Sequence, residues 1–137
     1  MPTREGLQTP QLPPMTVLGF DHVQVAMPER EEAAARHFYG RLLGLQEVEK
    51  PAETASRGGV WFKCGHQQLH LGVERAFRPA RKAHPAFLVE GYAELLQHLR
   101  AEGYEVVEDH SLPGVKRSFT FDPFGNRVEV VQSEPAL

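Results

Sequence analysis

Polar and apolar residues alternate along several short segments of the chain, and two longer stretches have helical periodicity. Alternation predicts a strand at residues 17–27. Apolar residues then recur at helical spacing, and Gly44 is the predicted helix end. Further strands are predicted at 46–50, 60–64 and 68–74, the last two as a hairpin that turns at Gly65-His66. Residues 51–59 are polar and small, which is typical of a loop.

The second half of the chain repeats this order. A strand is predicted at 84–90, a helix follows and ends at Gly103, and strands are predicted at 104–108, 115–121 and 127–132. The last two strands are joined by Asp122-Pro123-Phe124-Gly125-Asn126, which is strong turn chemistry. Each half therefore has the order strand, helix and three strands, which indicates a duplication.

The repeated order predicts an α+β fold of paired βαβββ modules, forming a curved mixed sheet around a cleft with the helices outside. Module one is expected at 17–74, a linker at 75–82 and module two at 83–132, within a single domain at 17–137. Neither half buries enough apolar surface to fold alone. Residues 1–16 hold four prolines and few large apolar groups, so we expect a mobile extension.

Composition excludes several classes of protein. A net charge of −3 gives no basic bias toward nucleic acid or a membrane surface. No apolar run is long enough for a membrane span, and the first residues lack the apolar stretch of a secretory signal. Cys64 is the one cysteine, so no intramolecular disulfide forms, which favours a reducing, cytoplasmic setting.

Four residues with metal-binding side chains occupy related positions in the two halves. His22 and His84 open the first strand of each half, and His70 and Glu129 lie in the last strand of each. On the last strands, alternation places His70 and Glu129 opposite the apolar residues that would face the helices. Three imidazoles and one carboxylate suit a divalent ion such as Zn, Ni, Mn or Fe, and leave positions open for a substrate with two neighbouring oxygens.

Other interpretations of these residues stay open. Glu129 can instead lie on an outer strand and pair with Arg127 or Arg117, and Gln68 can replace His70 because both share one strand face. A local cluster of Cys64, His66 and His70 lacks a fourth nearby ligand, which makes it a weak metal site.

Three stretches resemble the vicinal oxygen chelate superfamily, the glyoxalase, bleomycin resistance protein and dioxygenase family. They are residues 19–23 (GFDHV), 38–45 (FYGRLLGL) and 121–129 (FDPFGNRVE), and the resemblance extends over 17–132. It implies paired βαβββ modules and metal ligands at His22, His70, His84 and Glu129. Glyoxalase I usually has glutamate or glutamine at the position of His70. Thiol transferases of the superfamily use three protein ligands, which match His22, His84 and Glu129.

These observations predict a divalent-metal-dependent enzyme of glyoxalase type with lyase-like or isomerase-like chemistry. Glu129 would be both ligand and possible base, the substrate a small molecule, and the protein a homodimer whose site lies within one chain or between two. One alternative is a metal-free protein that sequesters a drug or metabolite, with Trp61 and Phe62 as stacking surfaces. Another is a thiol transferase of the fosfomycin-resistance type. Basic residues cluster before His84 and before Ser118, where they either bind an anionic group of the substrate or keep a loop solvated. They are Arg75, Arg78, Arg81, Lys82, Lys116 and Arg117.

Overall fold

A computed structural model describes residues 14–133 of the chain. Module one begins with β1 (His22–Met27) and a helix, α1 (Glu32–Ala35), that continues as a π-helical segment (Arg36–Leu42). Three strands follow, with one short helix after the first of them: β2 (Gln46–Val48), α2 (Ala52–Ala55), β3 (Val60–Cys64) and β4 (Gln67–Val73).

Module two contains β5 (Ala86–Val89), α3 (Tyr92–Ala101), β6 (Val106–Asp109), β7 (Arg117–Phe121) and β8 (Arg127–Gln132). Helix α3 forms where the apolar stripe predicts it, and it buries Tyr92, Leu96 and Leu99. The chain leaves the helix at Gly103, whose φ of 88° is readily adopted only by glycine. The α+β class and the paired modules are therefore confirmed.

The eight strands form two mixed sheets of four, in the orders β1-β4-β3-β2 and β5-β8-β7-β6. The first strand of each module pairs parallel with the last, β1 with β4 and β5 with β8, and the other pairs are antiparallel. One continuous sheet was predicted, whereas within residues 14–133 β1 and β5 do not pair with each other, and each has a neighbouring strand on one side only. Each module thus has an edge strand with unpaired backbone groups.

One face of each sheet packs into a hydrophobic core that both modules share. Val25, Phe62 and Leu71 of module one are in the same buried cluster as Leu99 and Val128 of module two. Because side chains alternate along a strand, the residues between these buried positions lie on the opposite face of each sheet. We call these two surfaces the outer faces.

A buried polar network joins the modules. Asn126 Nδ2 donates to the backbone oxygen of Ala26 at 2.8 Å, and the Ala80 amide donates to Asn126 Oδ1 at 2.9 Å. Asp122 accepts from Asn126 Nδ2 at 2.9 Å and from Tyr39 Oη at 2.7 Å. The predicted turn chemistry at 122–126 therefore also fixes module two against β1.

Three local predictions need correction. The first strand begins at His22 rather than at residue 17, because β4, its pairing partner, begins only at Gln67. Residues 51–59, predicted as a loop, contain α2, which buries no residue and so has no apolar periodicity. His84 precedes β5, which begins at Ala86. Of the predicted N-terminal extension, only residues 14–16 are among the described residues. Within residues 14–133, no helix has the length and apolar character that a membrane span requires.

Candidate functional site

His22 and His70 lie side by side on the outer face of the first sheet. Their strands are neighbours, with His22 opposite Gln68 and Gln24 opposite His70. The two imidazole rings stack, with 4.3 Å between centroids and 22° between planes. His22 is exposed, whereas His70 is buried. The structure therefore brings the two predicted ligands of module one together.

Trp61 fixes the plane of His70 from the other side. The indole stacks on the imidazole at 3.7 Å with only 2° between planes, and Trp61 is directly opposite His70 in β3. His70 Nε2 lies 2.8 Å from Gln68 Oε1, so Nε2–H donates to this oxygen. Burial lowers the pKa of His70, which favours the neutral ring. Its Nδ1 then keeps a lone pair available for a cation.

His22 has the hydrogen bonding typical of a metal ligand. Its Nδ1 lies 2.9 Å from Asp21 Oδ2, so Nδ1–H donates to the carboxylate and Nε2 is left as the acceptor nitrogen. A carboxylate on the far nitrogen of a ligand histidine orients the ring and raises its basicity. Asp21, directly before His22, therefore orients this ring, a contact that was not predicted from the sequence.

His84 and Glu129 form the corresponding pair in module two. His84 Nε2 lies 2.9 Å from Glu129 Oε1, and His84 Nδ1 lies 2.8 Å from the backbone oxygen of Lys82. Both neighbours are hydrogen-bond acceptors. Nδ1–H donates to the Lys82 oxygen, and Nε2 faces the carboxylate at the point where a cation shared by the two would bind. This arrangement favours a positive charge between His84 and Glu129.

Glu129 is buried on the outer face of the second sheet and is held in place by Arg117. Arg117 Nη1 is 3.3 Å from Glu129 Oε2, and Arg117 Nη2 is 2.9 Å from Asp109 Oδ2. The predicted contact with Arg117 is thus present, whereas the solvent-facing position on an outer strand is wrong, because β8 lies between β5 and β7 and Glu129 is only 7% exposed. Its carboxylate is oriented between two partners, His84 and Arg117.

The four predicted ligands form two pairs rather than one cluster. Within residues 14–133, no three His, Cys, Asp or Glu side chains are arranged to hold a metal ion. Both sheets turn one face toward the shared core, and each carries its pair on the opposite face. The four-ligand metal site therefore stays a prediction, with half of its donors on each module.

Two outer-face residues of module two are in positions that the sequence did not predict: Phe119 was missed, and Arg127 was considered only as a partner of Glu129. Phe119 is opposite Glu129 on β7, and its ring meets that of His84 edge to face at 5.4 Å. The guanidinium of Arg127 lies over the same ring, 4.0 Å from its centroid. Phe119 was difficult to identify because its polar neighbours Ser118 and Thr120 are the residues that face the core, both fully buried.

An apolar cleft of about 620 Å³ lies between the edge strands of the two modules. Apolar side chains from both modules line most of it, including Phe20, Val23 and Phe87, while His84 and Arg127 supply polar groups. Cavities of this size and character commonly accept small molecules. Phe62, predicted as a stacking surface, is fully buried in the core and is not available to a ligand.

Comparison with known proteins agrees with this architecture. A sequence model of the Glyoxalase/Bleomycin resistance protein/Dioxygenase superfamily matches residues 19–130. No curated protein matches the chain significantly in sequence.

Several solved structures are similar to the chain. A glyoxalase family protein from Bacillus anthracis has 49% identity and a TM-score of 0.82, with 88% of this chain and 98% of that chain covered. Lactoylglutathione lyase from Agrobacterium tumefaciens has 26% identity and a TM-score of 0.60, covering 89% and 96%. The fosfomycin resistance protein FosX from Listeria monocytogenes has 11% identity and a TM-score of 0.66, covering 89% and 96%, and shows the fold alone.

Proposed function

The chain belongs to the Glyoxalase/Bleomycin resistance protein/Dioxygenase superfamily, and from that premise we propose that it is a divalent-metal-dependent enzyme of glyoxalase type. Its substrate would be a small molecule with two neighbouring oxygens. The metal would be held by His22 and His70 of one chain and by His84 and Glu129 of a second copy. The protein would accordingly act as a homodimer with two equivalent sites.

The pairing of donors is the observation that carries this proposal. Each histidine has one nitrogen bound to an acceptor of its own module and a second nitrogen able to face a cation. Each pair lies on an outer face, where a second chain can approach. The unpaired edges of β1 and β5 offer backbone groups for such an approach. A second copy can therefore supply the donors that one chain does not gather.

The chemistry would depend on the acid–base properties of Glu129. When bound, a divalent ion supplies Lewis-acid polarisation of the substrate oxygens. Glu129 would accept a proton from the carbon beside these oxygens, and its Oε1, 2.9 Å from His84 Nε2, lies on the side of the proposed metal. Arg117 holds Oε2 and so keeps the carboxylate oriented during that transfer. Trp61 and Asp21 fix the ring planes of the module-one ligands.

Metal content of the purified protein tests the proposal. We expect close to one ion per chain in the native protein, and a large loss in His84→Ala. His98→Ala is the matched control, because His98 is exposed on α3, away from the site. Equal metal content in native protein and His84→Ala, or a light-scattering mass of one chain at high concentration, would contradict the proposal. A turnover screen with glutathione hemithioacetals, with fosfomycin and thiols, and with acyl-CoA epimers would then identify the reaction.

The apolar cleft supports a second candidate function, metal-free sequestration of a drug or metabolite. Its lining is mostly apolar, and Phe20 contributes an aromatic surface. Calorimetric titration with metal-free bleomycin, with and without EDTA, separates the two functions. Tight binding that is indifferent to the chelator supports sequestration, whereas no binding leaves the enzyme as the better account.

A further inference from the structure

Arg127 has an unusual position on the outer face of module two. It is the first residue of β8, half-buried, and its guanidinium stacks on Phe119 at 4.0 Å from the ring centroid. Within residues 14–133, its side chain makes no hydrogen bond and no ion pair with another protein group. A planar guanidinium is thus held in place by an aromatic ring while its N–H donors are unused.

The other charged groups on this face already have partners. His84, Glu129, Arg117 and Asp109 form one continuous chain of polar contacts, at 2.9, 3.3 and 2.9 Å. Arg127 lies outside this chain, although it is on the same sheet face as Glu129. Residues two apart on a strand are separated by about 7 Å, which is the span of a small molecule. One small molecule can therefore contact the side chains of both Arg127 and Glu129.

We infer that Arg127 binds an oxyanion, a carboxylate or phosphonate, carried by the substrate of this site. The inference rests on the proposed function, and it narrows the substrate class to small anions that have two neighbouring oxygens at one end and the oxyanion at the other. The fork of a guanidinium matches the paired oxygens of either group, and the stacking on Phe119 fixes its orientation before the ligand arrives.

A matched pair of probes tests the charge preference directly. The monohydroxamate of succinic acid carries neighbouring oxygens at one end and a carboxylate at the other, and its amide analogue replaces only the carboxylate. We expect the native protein to bind the acid more tightly than the amide, on the order of 10- to 100-fold, because a charge-assisted hydrogen bond is gained. Dissociation constants would be measured by calorimetry, with and without added Zn²⁺. A phosphonate analogue of the acid would show which oxyanion is preferred.

Variants assign the preference to Arg127. Arg127→Gln should remove the discrimination between acid and amide, and Arg127→Lys should retain part of it, since the charge remains but the fork is lost. Arg100→Gln makes the same change at an exposed side chain on α3 that pairs with Glu108, and should leave the discrimination intact. Circular dichroism of each variant would establish that it is folded.

The outcomes separate this inference from the proposed function. If Zn²⁺ tightens binding of both probes but the acid has no advantage, or if Arg127→Gln keeps that advantage, the role of Arg127 is overturned while metal dependence stands. If Zn²⁺ has no effect but the acid is preferred and Arg127→Gln loses the preference, the anion site stands and the metal centre fails. Failure of the acid to bind better than the amide under any condition overturns the inference.

Discussion

The division of the four donors into two pairs can be tested by mixing two variants that each lack one histidine. His22→Ala removes a donor from module one, and His84→Ala removes one from module two. In a symmetric dimer with sites between chains, each variant alone has two defective sites. In a mixed dimer, one site lacks both histidines and the other keeps all four donors. Mixing should therefore restore metal binding that neither variant has alone.

The expected recovery follows from counting sites. If chains exchange freely, half of the dimers are mixed, and each mixed dimer has one intact site of two. The mixture should then hold roughly a quarter of the native metal content. Co-refolding of equal amounts would allow exchange, native mass spectrometry would count mixed dimers, and elemental analysis would measure bound Zn²⁺.

A second mixture is the internal control. His22→Ala and His70→Ala both remove donors from module one, so no mixed dimer of these variants contains a complete site. Its metal content should stay near that of the single variants, although dimers form equally well. If neither mixture recovers metal although mixed dimers are present, the site is not built between chains and the reasoning is refuted.

Three further predictions concern the fold and are tested by urea unfolding. Asn126→Ala should lower the free energy of unfolding by roughly 2–4 kcal/mol, because it leaves buried partners of the inter-module network unsatisfied. Gly59→Ala should destabilise more than Gly65→Ala by about 2 kcal/mol, since a Cβ at residue 59 would lie 2.2 Å from a backbone oxygen while one at residue 65 meets nothing within 4 Å. The pKa of Glu32 is lowered, chiefly by the hydrogen bond from the Gly59 amide. Its stabilisation should be complete above the unfolded value of 4.5 and disappear as pH falls through the lower folded pKa, so Glu32→Gln should flatten the acid part of the stability profile.

The fold was predictable because its signals are local. Strand β8 was predicted at 127–132 and is found at Arg127–Gln132, and the stripe of α3 ends at Gly103 as expected. Errors arose where a segment with a strand-like pattern has no neighbouring strand to pair with. Val17 and Leu18 are apolar and read as strand, yet they are 87% and 96% exposed, because β4 does not extend far enough to pair with them.

The site was only half predictable, for a different reason. Alternation along a strand specifies which side chains share a face, and it correctly placed His70 and Glu129 away from the core. Alternation gave the wrong face for Phe119, because in β7 the polar residues Ser118 and Thr120 face the core and the apolar Phe119 faces outward. The buried Ser118 hydroxyl is satisfied by a hydrogen bond of 2.5 Å with Tyr92. Alternation along a strand does not predict whether the donors of module one and module two come together, because their distance depends on how the two modules pack.

That packing links the proposed metal centre to the proposed dimer. Each module buries one face of its sheet in the shared core and carries its two donors on the other face, and within residues 14–133 the four donors do not gather around one point. If the four donors share an ion, a second chain has to bring half of them. The ion then binds only to the associated form and stabilises it by mass action. Metal retention and dimerisation should accordingly rise and fall together on dilution, whereas a site built within one chain would hold its metal regardless of protein concentration.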